Sequence, residues 1–288
     1  MKLLQKTLFV LSLVLFHAFW GNVLAQDASK DSMPSLATAM GDTTWVLAGG
    51  YQDFGKLGTS PARIGKTNWK VWLGVSAGVA LSFVADRPFQ KAYDRSFDEN
   101  DWPNELGEKL SYPGNGLAVL GGNVGWYLLG HITQKEHFLQ SGAIGIESTV
   151  LTGFYGAELK FFTGRERPGA GLSWRGPPGS LNEYSRRSEE NANSFPSGHS
   201  LFAWSWASVM AWSYRDKKWV PPLAYGIASA VSIGRLAQNE HWVSDVAVGS
   251  LMGYAIGRFI AKRRWGTSWT IFPSRWNNNL QLSGVYKF

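Results

Sequence analysis

Eight residues capable of chemistry fall in three short clusters between Lys160 and Asp245 of this 288-residue chain. The first runs Lys160-Phe-Phe-Thr-Gly-Arg-Glu-Arg167-Pro168. The second is Ser194-Phe-Pro196-Ser197-Gly198-His199-Ser200, and the third joins Gly234-Arg235 to His241 and Asp245. Lys160, Arg167 and Arg235 are three cations, and each arginine can grip two oxygens through its planar fork. Pro196-Ser197-Gly198 before an apolar run reads as a turn opening a helix, where free N–H groups and the helix dipole favour an anion. Together these suit a group with negative charge on several oxygens, and a transferring phosphoryl group is one. His241 and Asp245 are four apart, so on a helix they share a face and the carboxylate can hold one imidazole nitrogen. The other nitrogen is then free to attack phosphorus. His199 is left to protonate a leaving oxygen and then to activate water.

The order and spacing of these residues, Lys-x6-Arg-Pro, then Pro-Ser-Gly-His, then Arg-x5-His-x3-Asp, resembles the type 2 phosphatidic acid phosphatase (PAP2) superfamily. That superfamily also holds bacterial acid phosphatases and vanadium haloperoxidases. The resemblance implies Lys160, Arg167, Ser197, Gly198 and Arg235 as phosphate ligands. It implies His199 as general acid, His241 as nucleophile and Asp245 as its orienting carboxylate. Gly234 stands where the family usually has serine, which removes a hydroxyl but no residue with an assigned role. Each cluster alone has a plainer reading: solvated charges, a common turn, a structural hydrogen bond. Three such accidents in the family's order are improbable, so the expectation is an enzyme. The motif-bearing stretch, roughly residues 140–262, is under half of the chain.

Six apolar segments must position the clusters: about 69–86, 114–131, 141–163, 198–214, 220–237 and 241–262. Their helical pattern gives an all-α expectation, a bundle of about six helices of PAP2 type whose ends gather the clusters on one face. Residues 100–115, with Pro103 and Pro113, read as a surface loop. Residues 164–193 read as a long connection, either a roof over the site or an ordinary mobile link. After residue 264, alternation around Asn277-Asn278-Asn279 reads as a short C-terminal β-hairpin over 265–288. Its terminal Phe288 is a weak reminder of outer-membrane barrel strands.

Residues 1–25 carry Lys2 and Lys6, an apolar run from Leu8 to Phe16 and Val23-Leu24-Ala25, the pattern of a cleaved secretory signal. Residues 26–68 are polar and small, a flexible leader, and the helical domain is expected over 69–264. Removing the signal lowers the formal charge from +7 to +5. No dense basic stretch interleaves with aromatics, so nucleic acid is a poor partner and anionic headgroups or phosphates a better one. There are no cysteines, hence no disulfides and no thiolate metal site. Fifteen tryptophans suit membrane interfaces or clefts as well as a core.

The apolar segments are broken by Glu147, Glu158 and Asp245, and mean hydropathy is −0.15. Yet Arg215-Asp-Lys217-Lys218 and Lys262-Arg263-Arg264 lie at the end opposite the clusters, as the positive-inside rule asks of a spanning bundle with an outward site. Six crossings after an exported leader would put the site in the cytoplasm. Either the domain lies wholly in the periplasm against the membrane, or an odd number of segments cross. The expectation is an exported, envelope-located, metal-independent phosphatase without cofactor. Its substrate would be a phosphorylated lipid, or alternatively a small soluble phosphoester. The rivals are a vanadate-dependent haloperoxidase and a non-catalytic phosphate-binding envelope protein.

Overall fold

The structure, a computed structural model, describes residues 69–97, 101–265, 268–276 and 279–287. The expected signal and leader lie outside the described residues. The helices are α1 (Trp69–Phe97), α2 (Trp102–Ser111), α3 (Gly116–Thr133), α4 (Glu136–Thr163), α5 (Leu181–Glu189), α6 (Gly198–Ser213), α7 (Val220–Ala237) and α8 (Val243–Arg264). A 3-10 turn, Tyr112–Gly114, links α2 to α3. The chain divides into two compact units, one of them Gly74–Trp265. The other includes β1 (Ser268–Trp276), paired antiparallel with β2 (Asn279–Lys287) from Ser268↔Lys287 to Trp276↔Asn279. The expected all-α bundle and the terminal hairpin are both present.

α6 is the central post. Its Ala203, Ala207 and Met210 pack on Ala224, Ala228 and Val231 of α7, with Trp204 and Trp206 closing around them. Leu201 is fully buried, a side chain whose removal from water is worth about 1.5–3 kcal/mol. The contact of α6 with α8 is made of backbone instead. A Cβ on Gly249 would come within 2.6 Å of Ser197 O, and one on Gly253 or Gly257 would strike the carbonyl of Leu201 or Ser205. Only glycine lets the two helices approach so closely. On the α4 side, the hydroxyls of Ser148 and Thr152 meet Ser205 Oγ at 2.7 and 3.0 Å, so the buried polar atoms satisfy one another.

Three of the segment boundaries differ from the expectation. Residues 102–111 form a helix rather than a loop. Pro103 lies in the first turn, where no N–H is needed, and Gly107 seats α2 on α7, since a Cβ there would lie 2.6 Å from Gly234 O. Residues 181–189 form a second unexpected helix, too polar for an apolar period and braced by Arg187 on Glu183 at 2.8 Å. Helix α1 runs past Pro88 to Phe97. The lost N–H bond is offset by tertiary anchors on either side: Asp86 is buried against α8, and Tyr93 Oη donates to Ala237 O at 2.8 Å.

Candidate active site

Helix ends deliver the expected residues to one end of the bundle. Lys160 is in the last turn of α4, which Gly164 ends in the left-handed conformation at φ 52°. That positive φ is the reason the turn favours glycine. Ser197 is the N-cap of α6, and Gly198 and His199 form its first turn. Arg235 is in the last turn of α7. His241 does not lie on a helix, contrary to expectation: Trp242 is the N-cap of α8 and Asp245 its third residue. Asp245 Oδ2 accepts from the Trp242 N–H at 3.0 Å, so capping geometry rather than a shared helical face turns the carboxylate toward His241.

His241 Nδ1 lies 3.7 Å from Asp245 Oδ2. Ser194 Oγ bridges them, 3.3 Å from Nδ1 and donating to Oδ2 at 2.5 Å. Burial, with Lys160 and Arg235 adding to it against Asp245, pushes the His241 imidazole well below its ordinary range. It is therefore neutral at pH 7, with a lone pair available. Burial alone would raise Asp245, but His241 and Arg165 outweigh it and hold the carboxyl below its usual value. His199 is pushed down to about 4 by burial and then by Arg235, Lys160 and Arg167. All three expected cations therefore disfavour a charge on this imidazole.

Each cation also has a protein partner. Lys160 Nζ donates to Asn193 O, and Arg167 Nε to Asn193 Oδ1 at 3.1 Å. Arg167 Nη1 and Arg235 Nη2 share Glu240 Oε2, the latter at 3.4 Å, while Arg235 Nη1 donates to Gln238 Oε1. Lys160 is driven down to about 7, first by burial and then by Arg167 and Arg235. Among the described residues Ser197 Oγ, Ser200 Oγ and Arg235 Nε are buried without a hydrogen-bond partner. Unsatisfied polar atoms at a helix N-terminus and a guanidinium are what an oxyanion would complete.

Behind the expected residues stands a second layer that the sequence reading did not assign. Arg165, 1% exposed, donates to Asp86 Oδ2 at 2.6 Å, to Ser244 Oγ at 2.7 Å and to Asp245 Oδ1. Asp86 also accepts from Ser244 N at 2.8 Å and Ser244 Oγ at 2.6 Å. The guanidinium of Arg165 is faced by Trp174 at 4.7 Å, Trp242 at 5.4 Å and Phe83 at 5.5 Å. The 164–193 connection therefore folds back onto the site through Trp174 and Asn193. In the sequence the one trace of this layer is a carboxylate inside the apolar run Ser82-Phe-Val-Ala-Asp86, which does not name its partner.

Residues 142–269 match the family model of the PAP2 superfamily. Over that stretch the chain is similar to the PAP2 superfamily. The PAP2 match runs from within α4 through α8 and includes all eight expected site residues, whereas Asp86 lies outside it. PAP2 proteins are in general phosphatases, acting on phosphate esters. No curated protein and no solved structure matches the chain.

Proposed function

We propose that the PAP2-like domain is a phosphatase that hydrolyses phosphomonoesters or diphosphates, of a membrane lipid, through a phosphohistidine on His241. The observation that carries this reading is the meeting of a neutral, buried imidazole, oriented by Ser194 and Asp245, with three cations and a second histidine. Mere anion binding would need only the cations and N–H groups.

In this scheme Lys160, Arg167, Arg235 and the first turn of α6 hold the phosphoryl oxygens. His241 Nε2 attacks phosphorus as the bond to the leaving oxygen breaks, and His199 delivers a proton to that oxygen. Neutral His199 then takes a proton from water, whose oxygen attacks phosphorus and releases His241 and inorganic phosphate. In the free enzyme burial, and after it the surrounding cations, keep His199 unprotonated at pH 7. A bound phosphate dianion offsets those cations, so the substrate itself raises the imidazole pKa and arms the acid. The cations supply the charge stabilisation that a metal ion provides elsewhere, which supports metal-independent turnover.

The lipid substrate rests on the surface. Leu117 and Ile132 on α3 are both 80% exposed, and Val150, Phe154, Ile233, Leu81 and Val84 are more than half exposed. Apolar side chains this exposed on several helices favour contact with a membrane over contact with water. Among the described residues one helix, Val243–Arg264, is long and apolar enough to cross a bilayer. At the far end of the bundle Arg215 faces Trp212 and Trp265, and Arg258 faces Trp212 at 4.1 Å. Such aromatic-backed arginines suit an anionic headgroup layer. With the signal pattern of residues 1–25, this supports an exported, membrane-associated protein whose site faces the periplasm.

The test is phosphate release by purified protein in detergent with EDTA, comparing lipid phosphates with p-nitrophenyl phosphate. Release from lipid phosphates, lost in His241→Ala with the fold intact, is the expected result. Activity on the soluble ester alone would instead make it an acid phosphatase of the periplasmic space. Substantial activity in His241→Ala would sink the phosphohistidine.

A further inference from the structure

The three carboxylates that meet the arginines of the site are of two kinds. Asp86 and Asp245 hold Arg165 with exposures of 3% and 0%, a permanent arrangement. Glu240 spans Arg167 and Arg235 with its side chain 36% exposed. Its backbone is fixed: the Glu240 N–H donates to Arg235 O at 3.3 Å, after a left-handed turn at Asn239 with φ 55°. Only side-chain rotation is therefore needed to free both guanidinium groups.

We propose that Glu240 is a displaceable internal anion that occupies the two-arginine clamp and is exchanged for the ligand's phosphoryl oxygens. The proposal rests on the phosphatase reading of this site and adds to it a rule of selection. A carboxylate contributes one negative charge, so a dianionic phosphomonoester or terminal diphosphate replaces it with a gain in charge. A phosphodiester, with one charge and a second bulky substituent, replaces it without that gain. The same carboxylate competes with inorganic phosphate after hydrolysis, which hastens product release. A residue that merely aligned the arginines would have the opposite effect on phosphate affinity when removed, and that difference makes the proposal testable.

The experiment measures inorganic phosphate binding by calorimetry, and as product inhibition, for the full-length protein, Glu240→Gln and Glu240→Ala in detergent. Loss of a competing charge about 4 Å from the ligand should tighten phosphate binding by about tenfold or more in both variants. Their melting temperatures should fall without phosphate, as two arginines lose a shared counter-charge, and rise more steeply than wild type when phosphate is added. If alanine prevents folding, the isosteric glutamine variant decides alone. Phosphate binding that is unchanged or weaker in the folded variants overturns the proposal and makes Glu240 a positioning residue. Tighter binding in the variants of a protein that turns over no ester would keep the proposal and remove the phosphatase reading. Turnover with unchanged phosphate affinity would do the reverse.

Discussion

Replacing Asp86 by alanine tests the second layer most directly. The carboxylate accepts three hydrogen bonds, from Arg165 Nη2 and Ser244 Oγ at 2.6 Å and from Ser244 N at 2.8 Å, and is 2% exposed. Alanine leaves Arg165 with Asp245 as its one carboxylate partner, and leaves a buried N–H without an acceptor. Removing one member of a buried ion pair costs about 3–5 kcal/mol, a large share of the roughly 5–15 kcal/mol that holds a domain folded. At about 2–4 °C per kcal/mol for a domain of this size, the melting temperature should drop by roughly 6–20 °C. Asp86→Asn keeps an acceptor for Ser244 N but not the charge, and should fall between the two. Turnover should suffer as well, because Arg165 then draws on Asp245 alone and disturbs its hold on His241. Loss of such outer partners costs about tenfold to a hundredfold, and here it should appear in kcat with KM little changed. Thermal unfolding by circular dichroism and steady-state phosphate release measure the two effects. An Asp86→Ala protein melting within roughly 2 °C of wild type and turning over within about twofold would refute the reasoning.

Two further outcomes concern protons. Lys160, lowered to about 7, carries its charge below that pH and loses it above, so kcat/KM should fall as pH rises through about 7. Lys160→Arg, charged throughout, should move that limb upward, and an identical limb in both proteins would mean that another group titrates. His199→Ala should slow esters with poor leaving groups far more than activated aryl phosphates. Equal losses on both would deny His199 the role of acid.

The candidate site was legible because phosphate chemistry restricts residue type and spacing within a short sequence window. Lys160, Arg167, Ser197, Gly198, His199, Arg235, His241 and Asp245 stand out as candidates through type, spacing and their shared order, which resembles the PAP2 pattern. The parts that escaped depend on tertiary contact. Asp86 precedes its partner Arg165 by 79 positions, and no local pattern says that a carboxylate in an apolar helix has an arginine waiting. Glu240 adjoins His241 but reads as an ordinary surface acid until Arg167 and Arg235 arrive from two other segments. The helices α2 and α5 escaped for a different reason: one begins with a proline, the other lacks an apolar period, and each gains its support from neighbours. The relation of His241 to Asp245 was expected from helical spacing and arises from the cap of α8, a different cause for a similar outcome.

The glycine seam between α6 and α8 has a consequence for how the site tolerates change. His199 opens one of these helices and His241 immediately precedes the other, so their separation is gauged by main-chain atoms in contact rather than by interlocking side chains. Main-chain contacts have no rotamers to exchange, and repacking elsewhere in the bundle has no lever on that gap. Substitutions can therefore accumulate on the outer faces of the bundle, adapting it to different surroundings, while the spacing of the two imidazoles stays constant. The seam works as a fixed gauge inside an otherwise adjustable frame.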